Sequence, residues 1–432
     1  ESQPFLEAIR QFRHEIGYQN SVLIHVTLVP YLKASGELKT KPTQQSVKAL
    51  QGMGISPDVI VCRTEVPLED GIESKIALFC NVPEDHVLQN LDVEYLYEAP
   101  LAMEKERLAH VVCECLNLPC PEPQLGDWKQ MVDALKNPTS EVTIALVGKY
   151  IQLHDAYLSV MEALKHGGIA NRTKVTIKWV DSEFLKPEAL DDTFAGVDGI
   201  IIPGGFGFRG TEGMILAANY ARENKIPFLG ICLGMQMAMV AFARNVLGYA
   251  DANSSELDPE TTHPVVDLMP DQNGVENLGG TLRLGSYPCV LDKKSKAYSL
   301  YGTDMINERH RHRFEINNDY RDDFTSHGMM LSGQSPDGHI VEMIELPDHP
   351  FYVGIQAHPE FKSRPNHAHP LFAGFVESAE EQGVLRRAKK LLMKRNHLSE
   401  PEAHRYLQKT SMDTGRTMAE SAHMVTMLIQ ED

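Results

Sequence analysis

The chain has 432 residues, 42% hydrophobic and 23% charged, proportions typical of a soluble globular protein of two or three domains. Its 59 acidic residues outnumber 41 basic ones, and the net charge of −18 excludes general attraction to nucleic acid or anionic membrane. Seven cysteines without framework spacing and the lack of a long apolar stretch indicate a cytoplasmic protein without a membrane span.

The first part of the chain alternates strand and helix signals. Short apolar runs at 21–29, 57–63 and 75–81 are typical of buried parallel strands, and residues 44–53 predict a crossover helix. We therefore expect residues 1–115 to form part of a doubly wound α/β sheet.

Residues 116–140 contain four prolines among polar residues and predict a linker. Because the chain begins with glutamate and runs directly into a helical pattern, we also expect it to be the later part of a longer protein.

A second α/β unit is predicted over residues 141–380. Its predicted elements are strands at 142–147, 175–180 and 197–202, a helix at 155–166, and short β-like runs from Gly279 to about Val353. The unit is expected to close near Phe375.

The pentapeptide Gly230-Ile231-Cys232-Leu233-Gly234 lies between an apolar run and an apolar helix at 235–243. It has the form G-x-C-x-G, the cysteine version of the nucleophile elbow on a sharp strand-to-helix turn. Such a turn exposes the sulfur at the carboxyl edge of a sheet, and the helix N-terminus favours the thiolate. The pattern predicts covalent catalysis by Cys232.

A base and its orienting group are available in Gln356-Ala357-His358-Pro359-Glu360, where His358 can deprotonate the thiol and Glu360 can hold the imidazole. An isolated His-x-Glu is more often a surface turn, but the elbow favours the catalytic interpretation. The glycine-rich stretch 203–210 can direct backbone N–H groups at an oxyanion, although by itself it also fits a flexible turn.

The last fifty residues have a different character. Six basic residues fall between 386 and 395, and capping-box patterns at 399–402 and 417–420 each precede an apolar helix. We expect a bundle of three short helices, and the basic residues fit either RNA contact or a solvated helix face.

Taken together, PGGFG, GICLGMQ and HPE resemble the class I glutamine amidotransferases, which release ammonia from glutamine. The stretches 308–318 and 39–44 resemble the CTP synthase family in particular, and the resemblance extends over 1–378. Residues 384–432 resemble an ANTAR module, a three-helix RNA-binding domain. The resemblance implies an α/β synthetase part, a class I amidotransferase domain and an appended helical bundle.

The resemblance also implies roles for individual residues. The catalytic triad would be Cys232, His358 and Glu360, with oxyanion N–H groups from Gly205 and Leu233. Glutamine would be bound by Gly205, Gln236, Glu256 and Arg313. UTP and the inhibitor CTP would be bound by Lys39, Lys41, Gln44 and Lys75. Activation by GTP would involve Arg209 and Gly210, and magnesium would be bound by Glu1. The histidines of 309–313 are interpreted as structural or substrate-side, because the neighbouring arginines would repel a metal ion.

In the family, ATP with Mg²⁺ phosphorylates O4 of UTP and ammonia displaces the phosphate; the resemblance also implies a homotetramer. No G-x-x-x-x-G-K-[ST] pattern for ATP occurs in these residues. We therefore expect them, alone, only to hydrolyse glutamine. The alternatives are a glutaminase of another synthetase, such as a GMP synthase partner, and an RNA-binding regulator that uses the amidotransferase domain as a sensor.

Overall fold

The computed structural model describes residues 2–268 and 282–430, and the chain divides into the units Glu1–Val132 and Asp133–Asp432. The predicted magnesium ligand Glu1 and the predicted start of the β-like region at Gly279 lie outside the described residues. Within the described ranges, no helix combines the length and apolarity needed to cross a membrane.

The first unit contains a three-stranded parallel sheet in the order β1-β4-β5. Its strands are β1 (Ile24–Leu28), β2 (Tyr31–Leu32), β3 (Glu37–Leu38), β4 (Val59–Thr64) and β5 (Val87–Leu91). Its helices are α1 (Gln3–Ile16), α2 (Lys41–Gly52), α3 (Ile72–Cys80), α4 (Ala99–Lys105) and α5 (Leu108–Cys115), followed by α6 (Gly126–Lys136), in which the division between units falls. The two predicted strands at 21–29 and 57–63 and the crossover helix at 44–53 are confirmed.

The predicted strand at 75–81 is wrong, because these residues belong to α3. Left-handed residues at Gly71 and Asn81 bound the helix. Its buried side chains are Ile76, Ala77 and Cys80, a helical spacing, whereas Leu78 is 79% exposed. A five-residue apolar run is too short for its period to separate a strand from a helix.

The predicted linker at 116–140 contains a helix that the proline pattern did not reveal. Three of the four prolines precede α6 and the fourth follows it, so the irregular backbone flanks an ordered segment.

The second unit contains a nine-stranded sheet in the order β13-β12-β15-β16-β17-β9-β8-β6-β7 and a small sheet in the order β10-β11-β14. The strands are β6 (Ser140–Gly148), β7 (Thr173–Asp181), β8 (Gly199–Ile202), β9 (Phe228–Ile231), β10 (Asn253–Ser254), β11 (Pro264–Leu268), β12 (Arg283–Leu291), β13 (Met305–His312), β14 (Phe314–Ile316), β15 (Met330–Gln334), β16 (Val341–Glu345) and β17 (Tyr352–Ile355). The helices are α7 (Leu158–Ala170), α8 (Leu190–Phe194), α9 (Thr211–Glu223), α10 (Leu233–Phe242), α11 (Lys296–Tyr301), α12 (Arg321–Ser326), α13 (Pro370–Asn396), α14 (Glu400–Thr414) and α15 (Met418–Gln430).

Neighbouring strands from β17 to β7 pair in parallel, and the inner strands β17, β9 and β8 are buried on both faces. On β8, Ile200 and Ile202 pack into the core under α9 and α10, while Ile201 packs into the opposite core with α7 and α13. Apolar side chains on both faces of a parallel strand are the mark of a doubly wound sheet. The predicted α/β fold class is confirmed.

The C-terminal bundle begins inside a helix rather than after one. The first half of α13 packs into the core of the large sheet through Phe372 and Phe375. Its second half packs through Ala388 and Leu392 against α14 and α15. The expected short first helix is therefore wrong, because one 27-residue helix serves both cores.

Candidate active site

The cysteine elbow joins β9 to α10. Cys232 has φ 51° and ψ −102°, a conformation that residues with side chains rarely adopt. A Cβ on Gly234 would lie 2.1 Å from the carbonyl oxygen of Ile202, and one on Gly230 would lie 2.8 Å from the backbone of Gly234. Only glycines fit these two positions. The turn therefore holds the cysteine at the carboxyl edge of the sheet, at the N-terminus of α10, where the helix dipole favours a thiolate.

The segment after β17 brings the histidine and the glutamate to the elbow. The Cys232 N–H donates to the Ile355 carbonyl at 2.7 Å, and Nδ1–H of His358 donates to Oε1 of Glu360 at 2.8 Å. Among the described atoms, none forms a hydrogen bond with Nε2 of His358, so this nitrogen is available to the cysteine. Burial alone would lower the pKa of His358, but its interactions with Cys232 and Glu360 outweigh burial and raise this pKa to about 10. This environment favours a thiolate–imidazolium pair.

The glycine loop lies against the same histidine. A Cβ on Gly204 would lie 2.7 Å from Cε1 of His358 and 3.5 Å from Cβ of Cys232. A Cβ on Gly205 would lie 3.4 Å from the side chain of Leu233. The two residues expected to supply oxyanion N–H groups, Gly205 and Leu233, are therefore neighbours beside the elbow.

Lys149 directly follows β6 and holds the glycine loop in place through hydrogen bonds. Its ammonium donates to the carbonyl oxygens of Phe206 and Gly207 at 2.9 and 2.6 Å. Burial is the main cause that lowers the pKa of Lys149 to about 8, with a smaller contribution from the charge of Arg209. The sequence interpretation missed this residue, whose only signal was a lysine directly after an apolar strand.

Glu256 and Arg313, two of the residues expected to bind glutamine, also lie near this loop. Glu256 remains exposed as a residue, but its carboxyl group lies among protein atoms. This desolvation raises the pKa of Glu256, and it is opposed by a hydrogen bond from Gly207 and by the charges of Lys149 and Arg313. A carboxylate and a guanidinium near one another match the two charged ends of an amino acid.

Gln236, the remaining glutamine-binding candidate, lies on the first turn of α10 and is 4% exposed. Its Nε2 donates to the Phe314 carbonyl at 3.0 Å and to Oε1 of Gln356 at 3.2 Å. Nε2 of Gln356 in turn lies 3.5 Å from Sγ of Cys232. The sequence interpretation gave no role to Gln356, although it lies in the same pentapeptide as His358.

The residues expected to respond to GTP lie at the far end of the glycine loop. Arg209 is exposed, forms a 2.8 Å ion pair with Glu183 and lies 5.5 Å from the ring centre of Tyr150. Gly210 has φ +70°, and a Cβ there would lie 2.3 Å from Oγ of Ser182. The position before α9 therefore requires glycine.

The histidines of 309–313 are buried side chains of β13. His310 and His312 lie 3.0 Å apart and contact Arg283, which forms a 2.7 Å ion pair with Glu342. Burial first, and then the charge of Arg283, lowers the pKa of His310 to about 2 and that of His312 to about 3. These uncharged, buried imidazoles fit the structural interpretation.

The residues expected to bind UTP lie in the first unit, around the start of α2 and on α3. Lys39 pairs with Glu37, and the exposed Lys41 lies 5.8 Å from the ring centre of Phe79. Gln44 is 3% exposed and donates to Thr40 at 3.2 Å. Lys75 is exposed on the first turn of α3. The structure places Lys41 near the helix that carries Lys75, but Gln44 already has an internal partner.

Comparison with known protein families gives three matches along the chain. Residues 1–118 match the model for the CTP synthase N-terminus, residues 152–378 match Glutamine amidotransferase class-I, and residues 375–425 match the ANTAR domain.

Comparison with curated proteins and solved structures gives close relatives. A CTP synthase of Ruminiclostridium cellulolyticum is 60% identical over 381 residues, which cover 88% of this chain and 71% of that protein. A CTP synthase of Clostridium beijerinckii is 57% identical over 382 residues, with the same coverage. The solved glutaminase domain of Trypanosoma brucei CTPS with bound acivicin matches with a TM-score of 0.53 and 38% identity, over 55% of this chain and 93% of that one.

Proposed function

The chain belongs to the CTP synthase family, and on this premise we propose that its second unit hydrolyses glutamine to glutamate and ammonia. The observation that carries the proposal is the meeting of Cys232, His358 and Gly204 at the elbow, with Glu360 hydrogen-bonded to the imidazole. This arrangement has the nucleophile, base and orienting group that acyl transfer from an amide requires.

Catalysis begins with proton transfer from the thiol of Cys232 to Nε2 of His358. The thiolate attacks the carboxamide carbon, and the carbonyl electrons move onto oxygen. N–H groups of Gly205 and Leu233 stabilise this oxyanion, a contribution that typically amounts to about 10²–10³ in rate per donor. The imidazolium then donates its proton to the leaving ammonia, and a thioester remains on the sulfur.

Water completes the cycle. The neutral imidazole of His358 takes a proton from water, the hydroxide attacks the thioester, and glutamate leaves as the thiol re-forms. Throughout, Glu256 and Arg313 hold the α-ammonium and α-carboxylate of the substrate, and Glu360 keeps the imidazole in one tautomer.

The first unit is proposed to bind UTP through Lys39, Lys41, Gln44 and Lys75, for amination to CTP in the presence of ATP. Exposed lysines near a helix start suit a triphosphate. The described residues contain no group of three potential metal ligands, so no step is assigned to magnesium. Since these 432 residues lack the phosphate-loop pattern, we propose that they hydrolyse glutamine without forming CTP.

Glutamate release from glutamine tests the proposal, measured with and without GTP in the wild-type chain and in Cys232→Ala. The exposed cysteine variant Cys120→Ala is the matched control. Loss of activity in Cys232→Ala alone supports the triad, and stimulation of the wild-type chain by GTP supports nucleotide activation. A folded wild-type chain without glutaminase activity contradicts the proposal.

A second candidate function is RNA binding by the C-terminal bundle, which the ANTAR match favours. Arg386 and Lys389 are engaged in ion pairs with Asp198 and Glu400, whereas Lys390 and Lys394 are exposed one helical turn apart. These two lysines form the basic face that we propose contacts RNA phosphates. A glutaminase of another synthetase is not favoured, because the first 118 residues match the CTP synthase N-terminus.

The RNA proposal is tested with a hairpin RNA at several salt concentrations. Replacing Lys390 and Lys394 together by Gln is expected to weaken binding and to reduce the salt slope by about 1.4–1.8, since each phosphate contact contributes ~0.7–0.9. The control replaces the exposed Lys293 and Lys294 by Gln. Equal binding by both double variants contradicts this surface.

A further inference from the structure

Two buried glutamine side chains connect a backbone carbonyl to the sulfur of Cys232. The Phe314 carbonyl accepts from Nε2 of Gln236 at 3.0 Å, Oε1 of Gln356 accepts from the same nitrogen at 3.2 Å, and Nε2 of Gln356 donates to Sγ at 3.5 Å. Gln356 is 0% exposed and Gln236 is 4% exposed. The connection lies inside the protein, where water does not compete for these bonds.

The order of donors and acceptors in this chain of bonds is fixed from one end. A backbone carbonyl can only accept, so the amide of Gln236 must present its nitrogen to Phe314. The second hydrogen of that nitrogen requires an acceptor, which is Oε1 of Gln356. The amide of Gln356 therefore directs its N–H₂ group at the sulfur, and a donor there favours a thiolate over a thiol.

The backbone holds Gln356 in place for this contact. Its N–H donates to the Glu342 carbonyl at 2.8 Å, and it follows β17 directly in the sheet that also carries the elbow. The titratable groups around the sulfur are His358, Glu360 behind it, and Lys149 on the far side of Gly205. His358 accepts the thiol proton, and Gln356 acts from another direction without exchanging a proton.

We propose that Gln356 stabilises the thiolate of Cys232 by direct hydrogen bonding, and that Gln236 fixes the direction of this bond. The inference rests on the proposed function, in which Cys232 is the nucleophile. It assigns Gln236 a task besides substrate binding, and it makes Gln356 a residue that touches the reacting atom.

Alkylation of Cys232 by iodoacetamide tests the proposal, because the rate follows the thiolate fraction and needs no glutamine turnover. The rate is measured from pH 5 to 10 by mass spectrometry of the Cys232 peptide. Gln356→Met keeps the side-chain volume and removes the donor. A hydrogen bond to a charged group is typically worth enough to change an equilibrium about tenfold, so alkylation at pH values below the midpoint should fall about tenfold. The pH midpoint should rise by about one unit.

Three further variants complete the design. Gln356→Glu places carboxylate oxygens near the sulfur and should shift the midpoint further upward. Gln236→Met frees the Gln356 amide to rotate and should give an intermediate shift, which provides a test even if Gln356→Met does not fold. Gln334→Met, at the end of β15, is the control and should leave the profile unchanged. In Gln356→Met, glutaminase kcat should fall by a similar factor while KM for glutamine changes little.

The failures of the two proposals are distinguishable. Folded Gln356→Met and Gln236→Met proteins with the wild-type alkylation profile overturn the role of Gln356 and leave the glutaminase proposal intact. A wild-type chain whose Cys232 shows the low reactivity of a buried, un-ionised thiol contradicts the glutaminase proposal itself.

Discussion

Replacing Gly204 by alanine should displace the catalytic base without disturbing the nucleophile. The added Cβ would lie 2.7 Å from Cε1 of His358, whereas ordinary van der Waals contacts begin at 3.4 Å. The imidazole must therefore move by ~0.7 Å. The same Cβ would lie 3.5 Å from Cβ of Cys232, an ordinary contact. Gly204 does not have the positive φ of Gly207 or Gly210, so alanine is compatible with its backbone.

The cost follows from the displacement. The imidazole is held by its 2.8 Å hydrogen bond to Glu360, and a shift of this size must stretch that bond or turn Nε2 away from the sulfur. Because a misplacement of ~1 Å at a reacting group can reduce a rate by about 10², we expect glutaminase kcat to fall about 10–100-fold. This is ~1.4–2.7 kcal/mol of transition-state stabilisation.

Steady-state glutamate release measures the effect, and circular dichroism establishes that the variant folds. Gly126→Ala, where an added Cβ meets nothing within 4 Å, is the matched control and should retain full activity. A folded Gly204→Ala protein with kcat within twofold of wild type would refute the contact between the glycine loop and the base.

Three other changes test separate parts of the second unit. Lys149→Met removes two hydrogen bonds to the glycine loop and should lower kcat/KM for glutamine about tenfold in the glutaminase assay. The protonated imidazole of His358 donates a proton to the leaving ammonia, so wild-type kcat should fall as the pH rises through the His358 pKa of about 10. Glu360→Gln removes one cause of that raised pKa. In this variant the alkaline limb of the pH–rate profile should therefore move to lower pH. Arg386→Met leaves the Asp198 carboxylate, which is 2% exposed, without its ion-pair partner at 2.9 Å. The free energy of unfolding should therefore fall by about 2 kcal/mol, and Tm in a thermal melt should fall by about 4–8 °C. The control variant Lys390→Met should change neither quantity.

Strands that are buried on both faces could be predicted from the sequence, because a continuous apolar run of strand length favours burial of successive side chains on opposite faces of a sheet. Residues 142–147 and 57–63 are of this kind, and both are strands. The run at 75–81 failed because it is short, and because its helix is defined by left-handed residues at Gly71 and Asn81 that carry little signal on their own. The elbow was predictable because a strained turn restricts the residue types at three alternate positions, Gly230, Cys232 and Gly234.

Single polar residues in apolar surroundings could not be assigned in the same way. Lys149 and Gln356 act through contacts with residues that are distant in the sequence, and no local pattern distinguishes them from other lysines and glutamines. Their roles depend on which carbonyl or sulfur the fold brings within 3.5 Å, and that is a property of the assembled sheet.

Gly383 lies in α13 where the core of the large sheet gives way to the core of the C-terminal bundle. A glycine inside a helix costs ~1 kcal/mol relative to alanine, so its presence there calls for a packing reason. Here it lies inside α13, where a Cβ would lie 2.7 Å from the Asp198 carboxylate and 3.2 Å from Arg387. The glycine permits close approach of the helix to the start of β8, and the ion pair between Arg386 and Asp198 is formed at the same contact. Because the helix is continuous, a deletion from residue 384 would both cut it and leave Asp198 buried without its cation. Exposed lysine variants on α13 therefore separate RNA binding from stability, and truncation does not.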